Sequence, residues 1–189
     1  MIVRPDPALL HARRRERDHP QSKDFVVESS HTYVVKDWLV HATFGIGQIV
    51  GVEEKGISGA NVRYYKIRTA DSTFWIPIDR MDGQELRPVC SAAEIQIAIA
   101  ILLGPAETMA SNHQIRKNEI QRILVLNTLA GSARLIRDLR ARQRERGELH
   151  IAEMNTLRSL KQRLLEEWIV ATGEQPEHVA ARIDELLDH

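Results

Sequence analysis

The sequence has little of the chemistry that stabilises secreted or membrane proteins. It contains one cysteine, Cys90, among 189 residues, which excludes an internal disulfide framework and a zinc site built from several cysteines. Its longest apolar run, Ile95–Leu103, is interrupted by Gln96 and falls far short of the roughly 20 residues that span a bilayer. The first residues lack the apolar core of a signal peptide. These absences predict a cytoplasmic protein with no membrane partner.

Motifs for catalysis are also missing. There is no phosphate-binding Walker loop, no HExxH and no CxxC pair, and Gly45-Ile46-Gly47 lacks the third glycine and the helix of a dinucleotide site. An enzyme needs a convergent set of acid, base or nucleophile, and no such set can be named. The sequence therefore predicts a non-enzymatic protein without metal or cofactor, and Cys90 is interpreted as a small packing residue.

The net charge of zero conceals an uneven distribution. Between His113 and Arg163, 12 basic residues face 5 acidic ones, and from Glu166 onward 7 acidic residues face Arg182 alone. The basic block is a candidate surface for a polyanion such as nucleic acid. An ordinary solvated helix face is the alternative interpretation of the same charges.

Three regions follow from composition and periodicity. Residues 1–30, with three prolines and an arginine cluster, are expected to form a flexible basic arm. Residues 31–89 contain short apolar runs with turn signals every 8–12 residues, which predicts a small, closed or nearly closed antiparallel barrel. Gly45 and Gly47 are expected to permit a bulge or sharp bend there.

Residues 90–189 show helical periodicity with start and stop signals. Ser91 with Glu94, and Ser111 with Gln114, have the spacing of capping boxes. A third helix is expected to start near Gly131, and a fourth to run from about Ile151 to Thr172. Four or five short amphipathic helices predict a compact bundle, so the fold class is α+β, with the small barrel first and the bundle second.

Three segments carry recognisable motifs: Trp38–Glu53, Leu86–Val89 and Ile136–Gly147. In order and spacing they resemble the CarD family of bacterial transcription regulators. The segment Trp38–Glu53 resembles the family's opening strand and glycine turn, and Leu86-Arg87-Pro88-Val89 resembles the end of its first domain. Ile136-Arg137-Asp138-Leu139, followed by Arg142 and Arg146-Gly147, resembles its helical signature. The resemblance covers about residues 33–187. It implies a Tudor-like RNA polymerase-interacting domain, shared with transcription-repair coupling factors, followed by a helical DNA-contacting domain.

The resemblance implies that the first domain binds the β subunit of RNA polymerase along a strand edge, a mode in which the backbone supplies affinity and flanking side chains supply specificity. The family's contacts fall near Lys55 and Trp75, with Arg63 and Tyr65 close by. An exposed tryptophan would be a good interface anchor. Packing of Trp75 on the barrel is an equally open interpretation.

The resemblance also implies that the helical domain lies at the upstream edge of the transcription bubble. The position at which relatives insert a tryptophan into the fork is His113, whose smaller ring would make a weaker wedge. A solvent-exposed residue at a helix start is the alternative. Arg116 and Lys117 match the family's phosphate contacts, and Arg122 and Arg134 are expected to extend the basic strip.

The leading functional hypothesis is a monomeric regulator that bridges polymerase and fork promoter DNA, largely without sequence specificity, and so modulates open-complex stability. The alternative is a polymerase-binding adaptor whose helical domain contacts another protein, which the His113 departure and the acidic tail favour. A small-molecule binder using aromatic residues of the barrel is a third, weaker hypothesis.

Overall fold

The computed structural model describes residues 33–57, 60–80 and 85–188; the arm predicted at residues 1–30 lies outside them. The strands are β1 (Trp38–His41), β2 (Gly45–Ile57), β3 (Ala60–Arg68), β4 (Thr73–Pro77) and β5 (Leu86–Pro88), with a short 3₁₀ helix at Ile78–Arg80. The helices are α1 (Ala92–Leu103), α2 (His113–Val125), α3 (Leu129–Arg146), α4 (Ile151–Thr172) and α5 (Pro176–Asp188). The α+β class, with a β region followed by a helical bundle, is confirmed.

The five strands form one antiparallel sheet in the order β4-β3-β2-β1-β5. Gly45, with φ of 75°, makes the tight turn between β1 and β2, a conformation that glycine adopts without steric cost. A side chain at Gly47 would place its Cβ 2.7 Å from Ile67, so the close approach of β3 to β2 at this point requires glycine. Of the bulge or sharp bend that the sequence predicted at the two glycines, the bend occurs at Gly45, while the bulge lies between Ile49 and Gly51.

Alternation along the strands gives the sheet two different faces. One face, which we call the core face, carries the buried cluster Leu39, Ile49, Tyr65, Ile67 and Leu86. Tyr33, Phe74, Ile76 and Ile78 pack against that cluster. The opposite face, which we call the outer face, carries polar and aromatic side chains, and it holds the first part of the candidate site.

The helices follow their capping signals in most places. Ser91 caps α1 with both hydrogen bonds of a capping box to Glu94, and Gly147 and Gly173 end α3 and α4 as predicted. Two predicted starts are wrong. Asn112, not Ser111, caps α2 through the amides of Gln114 and Ile115. Thr128 caps α3, which begins at Leu129, two residues before the expected start.

The bundle has its own core. It includes fully buried Trp168 from α4, and Cys90, which is 7% exposed, as the packing residue that the sequence predicted. Between sheet and bundle, Arg87 of β5 makes two hydrogen bonds to the Glu167 carboxylate of α4, at 2.8 and 2.6 Å. Arg163 of α4 donates to the carbonyl of Ala42 at 2.6 Å. The division of the chain into a strand domain and a helical domain stays a prediction.

Candidate functional site

Five side chains on the outer face form what we call the Trp75 cluster: Glu53 and Lys55 on β2, Tyr64 and Lys66 on β3, and Trp75 on β4. The register brings them together, because Glu53 pairs with Tyr64 and Lys66 pairs with Trp75. Directly paired residues on antiparallel strands share a face of the sheet. Three strands therefore contribute to one compact surface.

Trp75 is the centre of this cluster and is held from two sides. Its indole N–H donates to Glu53 Oε2 at 2.7 Å, and the Lys55 ammonium lies 3.7 Å from the ring centroid. Such a cation–π contact is worth about 0.5–1 kcal/mol at an exposed site. Trp75 nevertheless remains 38% exposed, so a large ring is presented to solvent in a fixed orientation.

Glu53 connects Lys66 to Trp75. Its Oε1 accepts from Lys66 Nζ at 2.8 Å while its Oε2 accepts from Trp75. These hydrogen bonds, first that of Lys66 and then that of Trp75, lower the pKa of Glu53 below its ordinary value. The carboxylate stays ionised at neutral pH and fixes the ring. The sequence analysis missed Glu53 and Lys66, because alternation within one strand does not show that they share a face with Trp75, whereas the register does.

The four residues predicted for polymerase binding do not share one face. Lys55 and Trp75 lie together on the outer face, whereas Arg63 and Tyr65 are offset by one residue from Tyr64 and point to the opposite side. Tyr65 is only 4% exposed and its hydroxyl donates to the carbonyl of Tyr33 at 2.7 Å. Tyr65 is therefore part of the core, and Arg63 is exposed on the other side of the strand.

The Trp75 cluster lies beside an edge of the sheet, which strand β4 forms. This strand pairs with β3 on one side, and no other strand in the described ranges pairs with its second side. Pro77 closes the strand, and proline is typical of edge positions where a backbone donor is not needed. The other edge, β5, has three residues and its Arg87 is occupied by Glu167. The longer and freer edge is the one that carries Trp75.

A second surface forms where the first turns of α2 and α4 meet. His113, the first residue of α2, lies with its ring centroid 4.3 Å from that of His150, the residue that caps α4. The His113 side chain is 45% exposed. His150 therefore supports the inner side of the His113 ring and leaves its other side open to solvent.

Beneath the two rings lies a buried carboxylate. Glu153, 2% exposed, accepts from Arg116 Nε at 2.6 Å and lies 3.8 Å from Arg142 Nε and 3.7 Å from His113 Nδ1. Two guanidinium groups thus face a single carboxylate, which leaves an excess of positive charge at this surface.

Arg116 is a structural residue in this arrangement. It is 4% exposed, and its Nη1 donates to the carbonyls of Ala110 and Ser111 at 2.7 and 3.0 Å. The phosphate contact that the sequence predicted for Arg116 stays a prediction, and in this structure its guanidinium is engaged by Glu153 and these two carbonyls. Glu153 and His150, which the sequence analysis missed, lie about 37 residues away along the chain and could not be paired with α2 from local pattern.

The remaining predicted DNA contacts are exposed but do not converge. At 100° per residue, Lys117 lies about 40° around α2 from His113, whereas Arg122 lies about 180° away from it. Both are exposed, as is Arg134 on α3. The structure therefore brings Lys117 to the side of His113 and directs Arg122 away from it.

The described residues contain no group of three or more histidine, cysteine, aspartate or glutamate side chains arranged to hold a metal ion. Over the same residues, every helix is too short or too polar to cross a membrane.

Residues 33–90 match the family model of the CarD-like/TRCF RID domain, an RNA polymerase-interacting domain. Domains of this family are regulatory rather than catalytic, and the match indicates a transcription-related role with RNA polymerase as partner. The matched segment contains the whole sheet and the Trp75 cluster. A comparison with curated proteins gave no match.

Proposed function

With an RNA polymerase-interacting domain at residues 33–90, we propose that this chain is a transcription regulator that binds the polymerase β subunit with its sheet and upstream fork promoter DNA with its helices. Binding both at once modulates the stability of the open complex. Such a bridge needs no catalysis, only a higher affinity for open than for closed DNA.

The observation that carries the polymerase half is the Trp75 cluster beside the edge of β4. A strand of the partner can add to β4 through backbone hydrogen bonds, while flanking side chains determine specificity. Trp75 is already oriented by Glu53 and Lys55, so little conformational freedom is lost when it is covered. Fixed aromatic side chains of this kind carry much of the energy of interfaces.

The test is binding of the full chain to purified β subunit by biolayer interferometry. Trp75→Ala is expected to weaken binding by roughly 2 kcal/mol, close to thirtyfold in Kd. Arg63→Ala is the matched control, because Arg63 is exposed on the opposite face and is expected to change Kd less than threefold. Equal losses for both variants, or no loss for Trp75→Ala, would contradict the proposed surface.

The DNA half rests on the surface around His113 and Lys117. The supported His113 ring can stack on a base at the fork, and base–ring stacking is worth about 1–3 kcal/mol for larger aromatic rings. The excess of guanidinium over carboxylate around Glu153 favours a nearby phosphate, and Lys117 can contact one directly. These contacts position the duplex without reading its sequence. Tethering to polymerase supplies the high local concentration that a weak DNA binder requires.

One lysine variant and one arginine variant, both on α2, test the DNA-binding half of the proposal. Lys117→Ala is expected to weaken binding to forked DNA and to reduce the slope of log K against log salt by about one. Arg122→Ala removes an equally exposed charge on the far side of α2 and is expected to leave both quantities nearly unchanged. The wild-type chain is expected to lengthen or shorten open-complex lifetime. An unchanged lifetime on every promoter examined would contradict the proposal.

A specific observation favours the alternative adaptor function. Ile115, Val125 and Leu126 are 54%, 57% and 64% exposed on the side of α2 that carries Arg122. Exposed apolar side chains on one side of a helix suit contact with a protein better than contact with a phosphate backbone. If forked DNA does not bind while polymerase binding persists, the helical bundle contacts a protein through surfaces of this kind.

A further inference from the structure

An open groove runs along α4, bounded by α3 on one side and α5 on the other, with a volume of about 420 Å³. We call it the α4 groove. Its floor is apolar and is formed by Met154, Leu157, Leu165, Ile183 and Leu187. It shares no lining residue with the Trp75 cluster and none with the surface around His113.

The rim of the groove is basic. Arg140, Arg158 and Lys161 line it, against one acidic residue, Asp184. Lys161 pairs with Asp184 at 2.9 Å, but that aspartate side chain is 67% exposed, and exposed pairs of this kind contribute only about 0–1 kcal/mol. Arg158 is exposed and has no ion pair within the ranges that the structure describes. Arg158 and Lys161 can therefore be offered to a partner at little cost, whereas Arg140 is paired with Asp188 at 3.1 Å.

We propose that the α4 groove is a docking site for an acidic amphipathic helix of a partner protein. The floor from Met154 to Leu165 is about 16 Å long at 1.5 Å per residue, which matches roughly three turns of a helix. A helix lying in such a groove inserts apolar side chains at i, i+3 or i+4 and i+7. Its acidic residues would then lie beside Arg158 and Lys161.

Two observations distinguish this occupant from DNA. A phosphate backbone would satisfy the rim but would leave the apolar floor without a complementary surface. The floor side chain Met154, still 38% exposed, is flexible and polarisable, a property common at surfaces that accept helices. The inference goes beyond the bridge between polymerase and DNA, because the groove uses none of the residues assigned to either contact.

The experiment uses the full chain and a designed probe. The probe is a fluorescein-labelled, lactam-stapled 15-residue peptide with leucine at i, i+4, i+7 and i+11 and glutamate at most other positions. Its control has the same composition and staple, with the leucines scattered around the helix. Fluorescence anisotropy is expected to show binding of the ordered peptide at least tenfold tighter than binding of the scattered one.

Variants identify the site. Arg158→Glu is expected to weaken the ordered peptide at least fivefold, since it reverses an exposed, unpaired charge on the rim. Arg146→Glu makes the same charge change at an exposed position outside the groove and is expected to change binding less than twofold. Methyl chemical shifts of Met154, Leu165 and Ile183 are expected to move when the peptide is added. Trp75→Ala is expected to bind the peptide as the wild type does, which separates this result from that of polymerase binding.

Three outcomes would overturn the proposal. The first is no preference for the ordered peptide. The second is an equal loss for Arg158→Glu and Arg146→Glu, which would indicate attraction by net charge alone. The third is a selective loss of forked-DNA binding in Arg158→Glu with peptide binding unchanged, which would assign the groove to DNA.

Discussion

Removing one partner of the ion pair between Arg87 and Glu167, which connects sheet and bundle, is expected to destabilise the protein strongly. The Glu167 side chain is 3% exposed and that of Arg87 is 18% exposed, and two hydrogen bonds of 2.8 and 2.6 Å connect them. Arg87 Nε also donates to the carbonyl of Asn127. Replacing Arg87 by methionine keeps much of the aliphatic length but leaves a buried carboxylate without its partner.

The expected cost follows from that burial. Breaking a buried ion pair by removing one partner costs about 3–5 kcal/mol, because an uncompensated charge remains inside. For a domain of this size, each kcal/mol shifts Tm by about 2–4 °C, so Arg87→Met is expected to lower Tm by roughly 6–20 °C. An exposed pair would contribute only about 0–1 kcal/mol, so the two situations are well separated.

The assay is urea unfolding of a double-mutant cycle with Arg87→Met, Glu167→Leu and the double variant. The double variant removes both charges, and it is expected to be more stable than Arg87→Met alone by more than 1 kcal/mol. A loss below 1 kcal/mol for Arg87→Met, or a double variant less stable than both single ones, would refute the assignment of a buried, coupled pair.

Three further predictions concern single residues. Burial is the main cause that holds the pKa of His41 below its ordinary value, and the ring Nδ1 accepts two backbone N–H groups of the following turn. Its contribution to stability is therefore present above about pH 6.5 and is lost as pH falls through the folded pKa. Urea unfolding should show a lower free energy of unfolding at pH 5.5 than at pH 7.5, and this decrease should be smaller in His41→Asn. Equal decreases in both proteins would contradict this. Burial, with the nearby Glu167 carboxylate, raises the pKa of the Cys90 thiol to about 12. The native protein should therefore react with a thiol reagent at pH 8 far more slowly than the urea-unfolded protein. Similar reaction rates would exclude a buried thiol. Ser91→Ala should cost about 1 kcal/mol through loss of the α1 cap, measured by thermal unfolding, and an unchanged Tm would show that the cap is not needed.

The elements that the sequence predicted well are those determined by local signals. The box at Ser91 and the glycine ends of α3 and α4 depend on residues within one or two turns, so the pattern is sufficient. The predicted capping residue of α2 was wrong because Ser111 and Asn112 are adjacent and both residue types cap helices well. The pattern does not decide between such neighbours, whereas the backbone geometry at Asn112 does.

The candidate site was only partly predictable because it depends on pairing across the chain. Lys55 and Trp75 meet only in the observed register of three strands. Arg116 pairs with Glu153, which lies on another helix, so the local pattern did not show that Arg116 has an internal ion-pair partner. For Arg63 and Tyr65, the alternation of β3 already separated them from Tyr64, but only the register showed which face carries Trp75.

Hydrogen exchange of the complex tests the central claim most directly. The full chain is incubated in deuterated buffer with and without purified RNA polymerase, and peptides covering β4 and β5 are compared by mass spectrometry. If the edge beside Trp75 receives a strand of the β subunit, amides of Thr73–Ile76 should exchange more slowly in the complex, while those of Leu86–Pro88 should not change. Unchanged exchange in β4, with new protection confined to β5 or to the helices, would contradict the account.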